Sequence, residues 1–318
     1  MGGRVGIGVD IGATRVRVCV GEASGKILWR RSSRITPPKG EQEYVNEIER
    51  LVLSAAGQQT AKSGLVGIGV ASVGPLDLSR GGMSSPANLP YGFVPLVEPL
   101  AQRFRTEVTL MNDANAAALG EKKFGAGRRH ENLVYVTLST GIGGGAIVDG
   151  HLLSGKDGNA AEIGHVVVDP EGRLQCGCGG RGHWEAYCSG RSIPRFASLI
   201  APGLRSSTRT AGRGSRALDS AAIFRAAARS DRLAMKVVEE VGRLNALGVA
   251  NAVNMFDPSL VTLGGGVALN NRETVLSPLK ALVPKYTINR PPEIMVTPLG
   301  DDAGLLGALC LAFGESLR

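Results

Sequence analysis

The chain has 318 residues, 43% of them hydrophobic and 20% charged, with 36 basic against 28 acidic side chains for a formal charge of +8. That apolar fraction excludes a disordered chain, five cysteines exclude a disulfide scaffold, and no apolar run approaches the roughly 20 residues of a membrane helix. The odd cysteine count, and a start in which Arg4 and Asp10 bracket a glycine-broken stretch without a signal-peptide core, point to a reducing cytoplasm; the length suggests about two domains.

In chain order, Val5–Asp10 reads as a strand ending in an acid, Arg15–Val20 as a strand alternating basic and apolar residues, and Lys26–Arg31 as a third. A helix is expected over Tyr44–Ala56, with Val45, Ile48, Leu51 and Val52 on one face. Strands follow at Leu65–Ala71 and Glu107–Met111, then a helix over Ala114–Lys123. This order predicts an α/β layered domain with mixed strand pairing. The opening then repeats: Leu133–Leu138 is a strand, Ser139–Gly145 a glycine turn and Ala146–Val148 a returning strand, so two domains of common ancestry are expected. Pro202–Arg216 reads as an exposed loop. Asp219–Met255 reads as helical, with Leu233, Val237, Val241, Leu244, Leu247 and Val253 facing a core. From Arg195 to Lys236 eight Arg and one Lys face two Asp, which places most of the charge surplus in a solvated loop and helix face.

Glycine is about twice its usual share of roughly 7%, at 45 residues, and several of these glycines stand at turns suited to phosphate. Asp10-Ile11-Gly12-Ala13-Thr14 puts a carboxylate at a strand end, then a glycine and a hydroxyl; such a carboxylate can hold Mg²⁺ through water while backbone N–H groups meet phosphate oxygens. An ordinary polar hairpin reads the same way. Ser139 to Gly145, with Thr140 as donor, is a second such turn, and Gly264-Gly265-Gly266 past the strand Leu260–Leu263 is a third. Three turns point to a nucleoside triphosphate. No Gly-Lys-Ser/Thr follows any of them, and a hairpin rather than a helix follows the first, which excludes a P-loop and a dinucleotide fingerprint. Asp113 opens a helix, where the dipole favours a carboxylate; it reads either as an N-cap or as the base that accepts an alcohol proton. His165, Cys176, Cys178 and His183 fall within 19 residues and offer the two sulfur and two nitrogen donors that tetrahedral Zn²⁺ prefers, with Cys188 as a rival ligand.

Together these motifs resemble the ROK group of sugar kinases, within the actin–hexokinase–Hsp70 ATPase superfamily. The matches are Asp10–Thr14, Asn112-Asp113, Leu138–Gly145, Glu162-x-x-His165 with its cysteine loop, and Leu263–Gly266, spanning residue 5 to about 312. The resemblance implies an α/β fold of two ribonuclease H-like (actin-like ATPase) domains with an interdomain cleft, and ATP-dependent phosphorylation of a hexose at its 6-hydroxyl. It implies that Asp113 is the base and Asn112 binds a neighbouring hydroxyl, while Glu162, His165 and Glu185 hold the C1–C3 end of the sugar. Asp10, Gly12, Thr14, Thr140 and Gly141 match the phosphate and Mg²⁺ turns, Gly264 and Gly265 the nucleotide side. Zn²⁺ is structural in this resemblance, with His165 also a ligand. Arg15 and Ala13 stand where Lys and Gly are commoner, and His183 takes the place of a third cysteine.

Residues 1–117 with 302–318 are expected as a small lobe and 118–301 as a larger lobe holding the zinc loop. The same motifs suit an N-acetylmannosamine or N-acetylglucosamine kinase. A sugar-binding transcription regulator is disfavoured, because the first strand starts by Val5 and leaves no room for a DNA-binding domain ahead of it. No specific nucleic acid and no membrane is expected as partner, and the resemblance implies a homodimer or homotetramer.

Overall fold

The computed structural model describes residues 4–12, 15–34, 40–59, 64–86, 89–202 and 218–315. Strand β1 (Val5–Ile11) is buried throughout and pairs antiparallel with β2 (Arg15–Gly21), which pairs antiparallel with β3 (Ile27–Arg34). Helix α1 (Glu41–Gln59) follows. Strand β4 (Leu65–Ser72) lies parallel to β1 on its other edge. Short strands β5 (Leu76–Asp77), β6 (Gly82–Ser84) and β7 (Phe93–Pro95) form a small sheet of their own, and α2 (Val97–Phe104) leads into β8 (Val108–Asn112), parallel to β4. The first sheet therefore runs β3-β2-β1-β4-β8, and β8 continues into α3 (Asp113–Phe124).

The second sheet repeats that plan. Strands β9 (Leu133–Leu138), β10 (Ile142–Val148), β11 (His151–Leu152), β12 (Leu260–Gly264) and β13 (Glu293–Val296) are ordered β11-β10-β9-β12-β13, with β9, β12 and β13 parallel. Between β11 and β12 lie α4 (Glu185–Cys188), α5 (Ile193–Ile200), α6 (Ser220–Ala228) and α7 (Arg232–Phe256). After β12 come α8 (Gly265–Asn270) and α9 (Arg272–Tyr286), and α10 (Ala303–Ala312) is the last helix among the described residues. Among the described residues no helix is long and apolar enough to cross a membrane.

Side chains alternate across a strand, and β1 shows how its two faces are used. Val5, Ile7, Val9 and Ile11 join one core with Tyr44, Val45 and Ile48 of α1. On the opposite face Gly8 lies against α10, where an added Cβ would stand 3.0 Å from the Leu305 carbonyl oxygen. A Cβ on Gly69 would come 1.9 Å from the Ala308 carbonyl oxygen, and one on Gly307 1.7 Å from that of Ala116. Much of the glycine excess is therefore spent on packing α10 against backbone, as well as on turns.

Two elements differ from the sequence expectation. The turn expected over Ser139–Gly145 closes within three residues, Ser139 N–H donating to the Gly141 carbonyl at 2.9 Å, and β10 already begins at Ile142. Gly145 sits in that strand because a Cβ there would meet the Ala114 carbonyl at 2.5 Å. The single helix expected over Asp219–Met255 is two. Ser230 takes φ 63° between them, and Asp219 and Asp231 each cap a new helix, accepting from Ala222 N–H at 2.6 Å and Ala234 N–H at 3.0 Å. Apart from Pro202, the expected Pro202–Arg216 loop lies outside the described residues.

The chain divides into two compact units. One comprises Met1–Glu131, Gly145–Ala161 and Asp302–Arg318; the other comprises Asn132–Gly144 and Glu162–Asp301. Residues 118–131 and 145–161, which the sequence reading puts in the larger lobe, belong to the first unit.

Candidate active site and metal loop

In the first unit, Asp10 lies near the end of β1, 5% exposed, directly across the hairpin from Arg17. The Arg17 guanidinium donates to its carboxylate. Burial pushes the Asp10 carboxyl up, and Arg17's charge and hydrogen bond only partly offset this, so the group stays above its ordinary value. Gly12 N–H donates to the Arg15 carbonyl at 2.9 Å and closes the turn; Thr14 and Ala13 lie outside the described residues.

At the junction of β8 and α3, Asn112 is the N-cap. Its Oδ1 accepts from the N–H groups of Ala114 at 3.0 Å and Asn115 at 3.2 Å. Asp113 is thus the first helical residue rather than the cap, half-buried, with its Oδ1 accepting from Ala114 N–H at 2.9 Å. The acid stands at the positive end of the helix dipole while its neighbour satisfies the helix end.

In the second unit, His165, Cys176, Cys178 and His183 offer four donor atoms that all lie within 4.8 Å of one another. Cys178 Sγ is 3.3 Å from His183 Nδ1, and Cys176 Sγ is 3.8 Å from His165 Nδ1. The loop that assembles them is a tight knuckle: Cys176 N–H donates to the Gly180 carbonyl at 2.8 Å and Gly179 N–H to the Cys176 carbonyl at 3.0 Å. Gly182, at φ 76°, brings His183 back beside Val167. Burial, with the neighbouring His165 charge, holds the His183 imidazole below its ordinary value, which favours the neutral form that ligates metal. Burial first, then Glu185 and Cys178, pushes the Cys176 thiol up to about 12, so a metal must displace its proton. Cys188 is elsewhere, fully buried on α4 with its thiol toward the Val241 carbonyl at 3.6 Å.

Glu185 connects this loop to the glycine turn. Its Oε2 accepts from Ile142 N–H at 2.8 Å, and its Oε1 is 3.6 Å from Cys176 Sγ. A Cβ on Gly141 would stand 2.6 Å from Oε2, so a larger residue there would push the Glu185 carboxylate aside. Glu162 Oε2 is 3.8 Å from His165 Nε2; burial raises its carboxyl above the ordinary value despite His165, with Glu185 adding to the rise. Thr140 follows Ser139, whose carbonyl accepts from Gly190 N–H at 2.7 Å. Gly264 ends β12 as the N-cap of α8. Gly265 takes φ 82° against the end of β9, where a Cβ would lie 2.5 Å from the Leu138 carbonyl. Thr140, Gly141 and Gly265 thus stand at neighbouring strand ends, and Glu162, His165 and Glu185 border the cysteine loop.

Several supporting residues have no signal in the sequence reading. Buried Asp169 accepts from Tyr187 Oη at 2.5 Å, from Arg173 Nε at 3.0 Å and from Arg173 N–H at 3.1 Å, while Tyr187 Oη accepts from Leu174 N–H at 2.9 Å. Buried Trp184 donates through Nε1 to Asn245 Oδ1 on α7 at 2.8 Å, and its ring lies where a Cβ on Gly248 would be. These contacts pin both ends of the cysteine loop. They join residues 18 and 61 apart in the chain, which no local period reveals.

The model of the ROK family matches residues 6–315. The chain belongs to the ROK family. It is 38% identical over 308 residues to a glucokinase of Thermotoga maritima, covering 95% of each chain. A ROK family glucokinase from Streptomyces griseus, solved with glucose and AMPPNP, is 34% identical with a TM-score of 0.81, covering 98% of this chain and 100% of the other. Such kinases share the α/β, actin-like ATPase fold, which is the fold of this ROK chain. A putative xylose repressor from Caldicellulosiruptor is 28% identical over 98% of this chain but only 78% of its own.

Proposed function

We infer that this ROK chain is an ATP-dependent sugar kinase that phosphorylates a hexose at its 6-hydroxyl. The observation that supports the role of Asp113 is its place at the start of α3: Asn112 is the N-cap, and the Asp113 carboxylate stands at the first helical position, at the positive end of the dipole, the place from which it would accept a hydroxyl proton. In this reading Asn112 and Asp113 bind at the reacting end of the sugar, and Glu162, His165 and Glu185 hold its other hydroxyls. Backbone N–H groups at Gly12, Gly141, Gly264 and Gly265, with Thr14 and Thr140, receive the nucleotide's phosphates.

Asp10 supplies a hard oxygen donor beside the Gly12 turn and so fits Mg²⁺ held through water; the ion neutralises phosphate charge. The sulfur and nitrogen donors of Cys176, Cys178, His165 and His183 fit a structural Zn²⁺, and Cys188, with its thiol buried away from them, does not join the set. A cytoplasmic homodimer or homotetramer is the accompanying expectation, which light scattering reads directly.

The test is steady-state kinetics of Asp113→Asn. Loss of a general base lowers kcat by about 10²-fold or more with the sugar KM little changed. Turnover within about tenfold of wild type, roughly 1.4 kcal/mol in barrier, removes Asp113 from the role of base. A panel of glucose, mannose, glucosamine and the two N-acetyl sugars, ranked by kcat/KM, identifies the acceptor, with glucose expected first.

A further inference from the structure

Asp10 is placed by the hairpin that opens the chain. Side chains alternate along β1, so Val5, Ile7, Val9 and Ile11 fill one core while Asp10 faces the other side of the sheet. The register sets it directly opposite Arg17 of β2. The same face of β2 continues through Cys19, which Leu305 and Leu309 of α10 cover. The first turn of α10 also lies against the carboxylate: a Cβ on Gly304 would stand 3.2 Å from Asp10 Oδ2.

A carboxylate this buried requires a counter-charge or several hydrogen bonds. Among the described residues, the Arg17 guanidinium is the one group that donates to it. The pair is uneven in exposure, the Arg17 side chain at 28% against 7% for Asp10, so the guanidinium side forms most of the surface that solvent meets. The Gly12 turn, closed by its bond to the Arg15 carbonyl, lies just beyond Asp10. The carboxylate that would serve Mg²⁺ at this turn is therefore already neutralised by a positive charge of the chain's own.

The charges decide what can displace Arg17. A bare divalent cation gains one carboxylate, breaks a charge-assisted bond and leaves a guanidinium beside itself, where repulsion is strong in a buried site. A cation carried on a nucleoside triphosphate brings phosphate oxygens with it. The guanidinium then exchanges Asp10 for phosphate, whose oxygens its planar fork matches, while Asp10 faces the cation. Every charge keeps a partner through that exchange.

We propose that Arg17 is an electrostatic gate on Asp10. It excludes free divalent cations from the carboxylate and yields only to a cation already bound to a nucleoside triphosphate, whose phosphates it then holds. The inference rests on the kinase reading in placing nucleotide phosphates at the Gly12 turn.

Mn²⁺ is the probe, its binding read by electron paramagnetic resonance, with wild type, Arg17→Lys, Arg17→Gln and Asp10→Asn compared first without sugar or nucleotide. Wild type and Arg17→Lys, which keeps the charge, are expected to leave the ion free. Arg17→Gln removes the charge and is expected to bind Mn²⁺ at least about tenfold more tightly than wild type; combining it with Asp10→Asn abolishes the gain. Arg17→Gln also melts below wild type, because a buried carboxylate has lost its partner, and Mn²⁺ raises its melting temperature more than that of wild type. With a non-hydrolysable ATP analogue present, wild type takes up the Mn²⁺–nucleotide complex. The tightening over Mn²⁺ alone is at least about tenfold greater in wild type than in Arg17→Gln. Wild type that binds Mn²⁺ alone, with that binding lost in Asp10→Asn, overturns the proposal without recourse to any Arg17 variant. Equal affinity of wild type and Arg17→Gln for the free ion overturns it as well. Failure of the kinase reading shows separately, as wild type that turns over no sugar with ATP; the comparison with free Mn²⁺ still decides whether Arg17 closes Asp10.

Discussion

Asp169 is nearly buried, yet it accepts three hydrogen bonds, from Tyr187 Oη, Arg173 Nε and Arg173 N–H. Burial alone would push its carboxyl up; the bonds from Tyr187 and Arg173 outweigh this and hold it below its ordinary value. A carboxyl depressed in the folded state stabilises the protein above its unfolded value near 3.8, and that contribution is lost as pH falls through the lower folded value. Asp169→Asn keeps the shape, and its amide oxygen can still accept from these three donors, which all reach one carboxylate oxygen, but it removes the charge that pairs with Arg173. We expect a loss of about 1–3 kcal/mol at neutral pH, together with faster release of zinc loaded onto the Cys176 loop and a shallower decline in stability as pH falls below that unfolded value. Urea unfolding across that range and metal release to a chromogenic chelator measure these effects. Unchanged metal release would mean that Asp169 serves the loop only as filler. The sequence shows the four metal-ligand candidates through their spacing, because chemistry needs them close together in the chain. It hides Asp169 and Asn245, whose partners are assembled by the fold.

At the scale of elements, what is legible follows the repeat. Strands β1, β2, β4, β9 and β12 were readable because buried strands are dense in Val, Ile and Leu, and the observed ends differ from the expected ones by at most one residue. The break between α6 and α7 was not readable by apolar period, since the series from Leu233 to Val253 lies wholly within α7 and its first member, Leu233, is exposed rather than facing the core. The signal was Asp219 and Asp231, each one residue ahead of a helix. The glycines misled in a similar way. Gly143, Gly144 and Gly145 look like turn residues but lie in β10, and Gly67, Gly69, Gly120 and Gly307 admit α10 to close contact with β4 and α3. Gly307→Ala tests this directly. Its Cβ would stand 1.7 Å from the Ala116 carbonyl oxygen, an atom of α3 backbone that cannot turn aside as a side chain would. The helix must move as a body, and we expect a loss of about 3 kcal/mol or more in urea unfolding. A near-neutral result would show that α10 can slide along α3.

For the whole molecule, the two sheets share one strand order, yet the added structure in them differs in kind. The first unit holds α10 and the glycines that admit it to β4 and α3, contacts that need no ligand. The second holds all four candidate metal donors, within 19 residues, on a loop whose strand content is limited to isolated bridges. A metal that binds the folded loop and not the unfolded chain contributes its binding free energy to that unit. Chelation should therefore act unevenly. Exposing the protein to a strong zinc chelator and following amide hydrogen exchange, we expect faster exchange over residues 163–190. The rise should extend to Ile142, whose N–H is held by Glu185. Strands β1 and β4 and helix α10 should exchange at unchanged rates, because their contacts lie within the first unit and involve none of the donors. Uniform acceleration would instead mean that the metal stabilises the chain as one cooperative block, and no change anywhere would mean that the Cys176 knuckle stands on Asp169, Tyr187 and Trp184 alone.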